Sequence, residues 1–105
     1  MATVYVVQEV NGINVMSATI FGELKLLLPA GQIALSAGPT VSRLRKGLKD
    51  FTNEDYLLLV GDPAAIGIAT AVAATLNQGK VNLLKWDRQE RKYFPISVNI
   101  HGAKL

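Results

Sequence analysis

The stretch "DYLLLVGDPAAIGIATAVAATLNQGKVNLLKWD", residues 55–87, limits the folds open to this chain more than any other. It opens with a continuous apolar run, 55–61, of the kind required by a strand buried on both faces. The run breaks at Gly61-Asp62-Pro63, where Asp62 suits a helix N-cap and Pro63 the first helical position. Residues 63–79 then read as a helix that stops near Gly79, and its alanines, with Ile66, Ile68, Val72 and Leu76, allow close approach to a sheet. "KVNLLKWD", 80–87, is a second strand. A strand–helix–strand unit of this length predicts a right-handed crossover between two parallel strands of one sheet.

Other elements extend that sheet. "TVYVVQEV" (3–10) is β-branched and aromatic enough for a strand, with Asn11-Gly12 as a turn signal after it. Residues 13–29 are less regular, and the better strand there is 22–28, broken by Pro29-Ala30-Gly31. "QIALS" (32–36) is a candidate short strand paired with 22–28 across that break. Residues 37–51 predict an amphipathic helix whose apolar stripe is Val41, Leu44, Leu48 and Phe51 and which Gly47 weakens. Residues 91–100 form a last strand, joined to 80–87 as a hairpin, and Pro95 suits a sheet edge. The expected fold is α/β: a mixed sheet of about five strands with two helices, in a single domain 1–105 with a tail from about 101. Strands 3–10 and 92–100 are candidate exposed edges, which favours self-association.

Composition narrows the chemistry. Half of the 105 residues are hydrophobic and 18% are charged, a balance that favours a packed core over disorder. There is no cysteine, which excludes disulfides, thiolate metal sites and Cys nucleophiles. The single histidine, His101, lies in the expected tail, a poor place for a Ser-His-Asp triad or a zinc ligand. No pair of carboxylates has a spacing that demands acid–base work, and Asp50, Glu54 and Asp55 read as a solvated turn. The chain therefore points away from an enzyme, and no cofactor or metal is expected. Its apolar runs are too short to span a bilayer and its first twenty residues do not resemble a signal peptide, so a soluble, cytoplasmic protein without membrane contact is expected.

Three segments are candidate sites. The Gly61-Asp62 turn, with Gly67 in the following helix, resembles anion-binding strand-to-helix loops, which makes a small molecule or phosphate one candidate ligand. Against this, Asp62 places a negative charge where a phosphate would sit, so helix capping is the favoured role. Arg43, Arg45, Lys46 and Lys49 on helix 37–51 could contact nucleic acid, although a solvated helix face has the same composition. Trp86, Arg88, Arg91 and Tyr93 combine, in one hairpin, the residue types enriched at protein-binding hot spots.

The run 55–100 with its "GDP", "LKWD" and "YFP" elements, together with "LLLPAGQIALSAGPTVSRLRKGLKDF", resembles small uncharacterised proteins encoded by tailed bacteriophages. The resemblance implies action in a bacterial host cytoplasm and brings no catalytic residues. The functional expectation is thus a small non-enzymatic module that contacts a protein partner and self-associates. Nucleic-acid binding through the basic helix and the aromatic–arginine hairpin, and ligand binding at Gly61–Gly67, are the alternatives.

Overall fold

The structure, a computed structural model, describes residues 2–31 and 37–102. In chain order its strands are β1 (Thr3–Gln8), β2 (Glu23–Leu28), β3 (Tyr56–Leu58), β4 (Lys80–Asp87) and β5 (Lys92–Asn99). Two α-helices, α1 (Gly38–Gly47) and α2 (Pro63–Leu76), and a 3₁₀ helix, Val15–Ile20, connect them. The strands form one mixed sheet in the order β2-β1-β3-β4-β5. The first four run parallel, and β5 returns antiparallel to β4.

The β3–α2–β4 unit has the form expected. Leu57 and Leu58 point to opposite faces of the sheet and both are fully buried, which accounts for the uninterrupted apolar run. They lie level with Leu83 and Leu84 of β4. In α1, Leu44 and Leu48 are fully buried, Phe51 just beyond the helix is buried, and Val41 packs against the same cluster. Gly47 has a packing reason: a Cβ there would come within 2.8 Å of Leu27 Cδ2, so glycine lets α1 lie close to β2.

Each face of the sheet builds its own core. Tyr5, Val7, Leu27, Leu57 and Val81 meet α1 and α2 on one face. Val4, Val6, Leu58, Leu84 and Tyr93 form the other, beneath Val15 and Ala18 of the 3₁₀ helix and the adjoining Phe21. The strand order explains this division. From β1 the chain steps to β2 in one direction along the sheet, whereas β2 to β3 and β3 to β4 step the opposite way. Crossovers of one hand then place the first connection on the opposite face from the other two.

Three expectations change. The strand at 3–10 is not an edge: β1 pairs with both β2 and β3, and among the described residues the edges are β2 and β5. Of the irregular stretch 13–29, part is the 3₁₀ helix. Asp55 is not solvated like its neighbours Asp50 and Glu54; it is buried, accepting from Thr3 N at 2.9 Å, Thr52 N at 2.8 Å and Thr52 Oγ1 at 3.0 Å. The proposed strand 32–36 lies outside the described residues. Pro95 does fall on an edge strand, β5, as its missing N–H requires.

Candidate functional site

In an open parallel sheet, ligands collect at the carboxyl ends of neighbouring strands whose connections leave in opposite directions. Here those strands are β1 and β3. Gln8 ends β1 at this point and is buried at 4% exposure. Its amide nitrogen donates to Pro29 O at 3.0 Å and to Gly31 O, and its Oε1 accepts from Asp62 N at 2.7 Å. One side chain thus joins the loop after β2 to the turn before α2. Gly61 makes room for it: φ is +122°, and a Cβ would lie 2.5 Å from Gln8 Cβ. Sequence reasoning passed over Gln8, whose one signal was a polar residue closing an apolar strand.

Asp62 is the N-cap of α2, and its carboxylate accepts from Ala64 N at 2.8 Å. The carboxylate therefore takes the place at the helix start that an anionic ligand would need, and the phosphate reading of this turn loses its footing. Gly67 is exposed on α2, with open space around it.

Beside Gly61 lies a cavity of about 460 Å³, lined by residues 12–14, 59–61, Ile66, Trp86 and Tyr93. Trp86 and Tyr93 are direct cross-strand partners, with ring centroids 5.0 Å apart and planes at 66°. Their positions differ: Trp86 is 38% exposed and Tyr93 only 3%. The Tyr93 hydroxyl is buried and has no hydrogen-bond partner among the described residues. Burial pushes its pKa above the usual tyrosine value, so at neutral pH it remains an O–H donor.

Beyond the rings the hairpin projects Arg88 and Arg91, both exposed. Arg91 N donates to Asp87 O at 2.8 Å and Gln89 N to Asp87 Oδ1 at 3.2 Å, which closes the turn. Arg91 takes a left-handed backbone, φ +54°. The fold thus brings Gly61, Trp86 and Tyr93 around one cavity, while Asp62 follows Gly61 in the turn and the arginines lie at the hairpin tip outside the lining.

The basic helix stands apart. Arg43, Arg45, Lys46 and Lys49 are exposed, and α1 packs against β2, at the opposite sheet edge from the β4–β5 hairpin. Arg45 and Lys46 occupy the last turn of α1, where positive charge complements the helix dipole. Arg43 alone reaches the carboxyl end of the sheet, where it lines a hollow of about 210 Å³ with Gln8 and Gly31.

At the amino end of β4, a hollow of about 300 Å³ is lined by asparagines and Ser97. Those groups bond to one another: Asn77 Nδ2 to Asn53 Oδ1 at 2.9 Å, Asn82 Nδ2 to Asn53 O at 2.8 Å, and Ser97 Oγ to Asn82 Oδ1 at 3.0 Å. This is a clamp between turns. No group of acidic or histidine side chains among the described residues is placed to hold a metal, and no described helix is long and apolar enough to cross a membrane.

Fold and site together define an open α/β protein with a partly aromatic crevice past the carboxyl ends of β3 and β4, next to its strand switch point. The chain belongs to the family described as Phage Pam3 gp32-like protein, whose model matches residues 2–100. The bacteriophage resemblance read from residues 22–100 therefore holds over nearly the whole chain. No curated protein and no solved structure matches it.

Proposed function

We propose that this phage-family protein is a non-enzymatic binding module, acting in the host cytoplasm, that grips a protein partner with the β4–β5 hairpin. The observation behind this reading is the half-exposed Trp86 ring, held edge-on by buried Tyr93 and followed by two exposed arginines. Rigid aromatic anchors beside Arg are what binding hot spots are made of. In this reading Trp86, Arg88 and Arg91 touch the partner, while Tyr93 holds Trp86 in position. The left-handed Arg91 adds support, since the turn tolerates strain there that glycine would remove.

Self-association is part of the same proposal. Met16 and Ile20 of the 3₁₀ helix are 65% and 81% exposed, and Leu26 on edge strand β2 is 49% exposed. Apolar side chains beside a strand edge that pairs with no other described strand suit a second copy of the chain.

The test is capture of partners from nuclease-treated lysate of infected host by the tagged protein and by a variant carrying Arg88→Ala and Arg91→Ala. The variant is expected to fold and to lose the specific partner. Equal capture by both proteins would reduce the hairpin to a charged turn. The competing nucleic-acid reading uses the exposed cations of α1 together with the hairpin, and it predicts binding that falls steeply as salt rises.

A further inference from the structure

We propose that two copies of the chain pair antiparallel along β2, in the register that sets Leu24 opposite Leu24 of the second copy. This pairing rests on the self-association proposed above and gives it a geometry. Among the described residues β2 is an edge of the sheet. Glu23 N donates inward, to Ala2 O at 3.1 Å. Successive N–H and C=O groups along a strand alternate between its two sides, so those of Leu24 and Leu26 face outward. Such a row of donors and acceptors is a template for another strand, and a second copy brings the same row.

A two-fold axis normal to the sheet keeps every side chain on its own face, so each antiparallel register is centred on a single residue. Charge chooses among these registers. β2 carries one anion and one cation, Glu23 and Lys25, both exposed and two positions apart on the same face. That is the Tyr5 face, since Lys25 Nζ lies 5.5 Å from the Tyr5 ring centroid. Centring on Leu24 sets Glu23 opposite Lys25 and Lys25 opposite Glu23, two unlike pairs facing each other directly. Centring on Glu23 or on Lys25 puts a charge opposite itself, which is repulsive. Centring on Leu26 sets Lys25 opposite the buried, apolar Leu27 and pairs neither charge. On the other face Leu24 packs into the core beneath the 3₁₀ helix, and Leu26, 49% exposed, shares that face. The register centred on Leu24 brings Leu26 level with Gly22 of the second copy. Gly22 lines an open hollow of about 710 Å³ with Met16, Ile20, Phe21 and Leu24, so Leu26 gains an apolar seat.

The chain has no cysteine, so single introduced thiols report the register. Glu23→Cys and Lys25→Cys proteins, one of them carrying a tag, are held in a glutathione redox buffer separately and as an equimolar mixture. In the proposed register the two thiols face each other at a distance a disulfide can bridge. Two copies of either variant place theirs on a diagonal of about 7–8 Å, which is too far. The mixture is therefore expected to give a disulfide between the two variants at least about tenfold in excess of either self-cross-link. Charge reversal supplies a second readout. Glu23→Lys or Lys25→Glu alone should weaken dimerisation at least about fivefold, and the two together should restore it. Both positions are exposed, so the variants are expected to fold. A dominant self-cross-link of either variant would overturn this register, as would a double reversal no tighter than the single ones. A scattering mass near twice that of one chain would then leave self-association itself standing. Another segment of the chain, or a different protein, seated on β2 would leave the mixture without its cross-link and would equally overturn the pairing. No cross-link together with the mass of one chain would remove both the register and self-association.

Discussion

Gln8 and Asp55 are buried polar side chains that act at opposite ends of β1. Each is retained in the interior because its hydrogen bonds replace those it would make to water. Asp55 ties the first residue of β1 to the turn before β3, accepting two backbone N–H groups and a hydroxyl. Removing it leaves those donors without their acceptor, so Asp55→Ala should cost about 2–4 kcal/mol. Asp62 is a more exposed cap that accepts from Ala64 N, and Asp62→Ala should cost about 1 kcal/mol. Urea unfolding followed by the fluorescence of the single tryptophan would rank the two. If Asp62→Ala costs as much as Asp55→Ala, the turn before α2 carries more of the structure than capping explains.

At the scale of elements, the β4–β5 hairpin is where local structure and the proposed function pull apart. Its turn places Arg91 at φ +54°, a conformation that costs a residue with a Cβ about 1–2 kcal/mol and glycine much less. Arg91→Gly should therefore raise stability by about 0.5–1 kcal/mol while weakening partner binding. Thermal unfolding and a binding assay on the same variant provide the check. If the substitution destabilises the protein, the arginine serves the turn itself. Helix α1 shows a related compromise, since Gly47 lowers helix propensity but permits contact with Leu27.

For the whole molecule, strand order decides which surfaces remain open. Pairing on both sides protects β1, β3 and β4, while among the described residues β2 and β5 are left as edges. Lys92 and Pro95 on β5 are the kinds of residue that blunt an edge, whereas β2 carries exposed Leu26. Self-association through the β2 side should give a scattering mass of about twice the 11.3 kDa of one chain at micromolar concentration. Leu26→Lys should return the mass to that of one chain. A parent protein that already scatters as a single chain would remove self-association from the proposal.

What the sequence determined by itself was local. The Asp62 cap, the apolar stripe of α1 and the Trp86–Tyr93 hairpin depend on contacts between residues close along the chain, and the β3–α2–β4 unit on local elements joined by a crossover of fixed hand. Periodicity and capping chemistry report such contacts directly. Tertiary structure alone decided that β1 lies inside the sheet, that Asp55 is buried and that Gln8 joins two loops. Those features depend on partners 52, 54 and 21 residues away. The cavity likewise draws its lining from residues 12–14, 59–61, 66, 86 and 93, which no spacing rule connects. A hydrophobic pattern says which side of a strand is buried, but not which strand will lie beside it. That choice is made when the parallel crossovers close and both faces of the sheet are covered together.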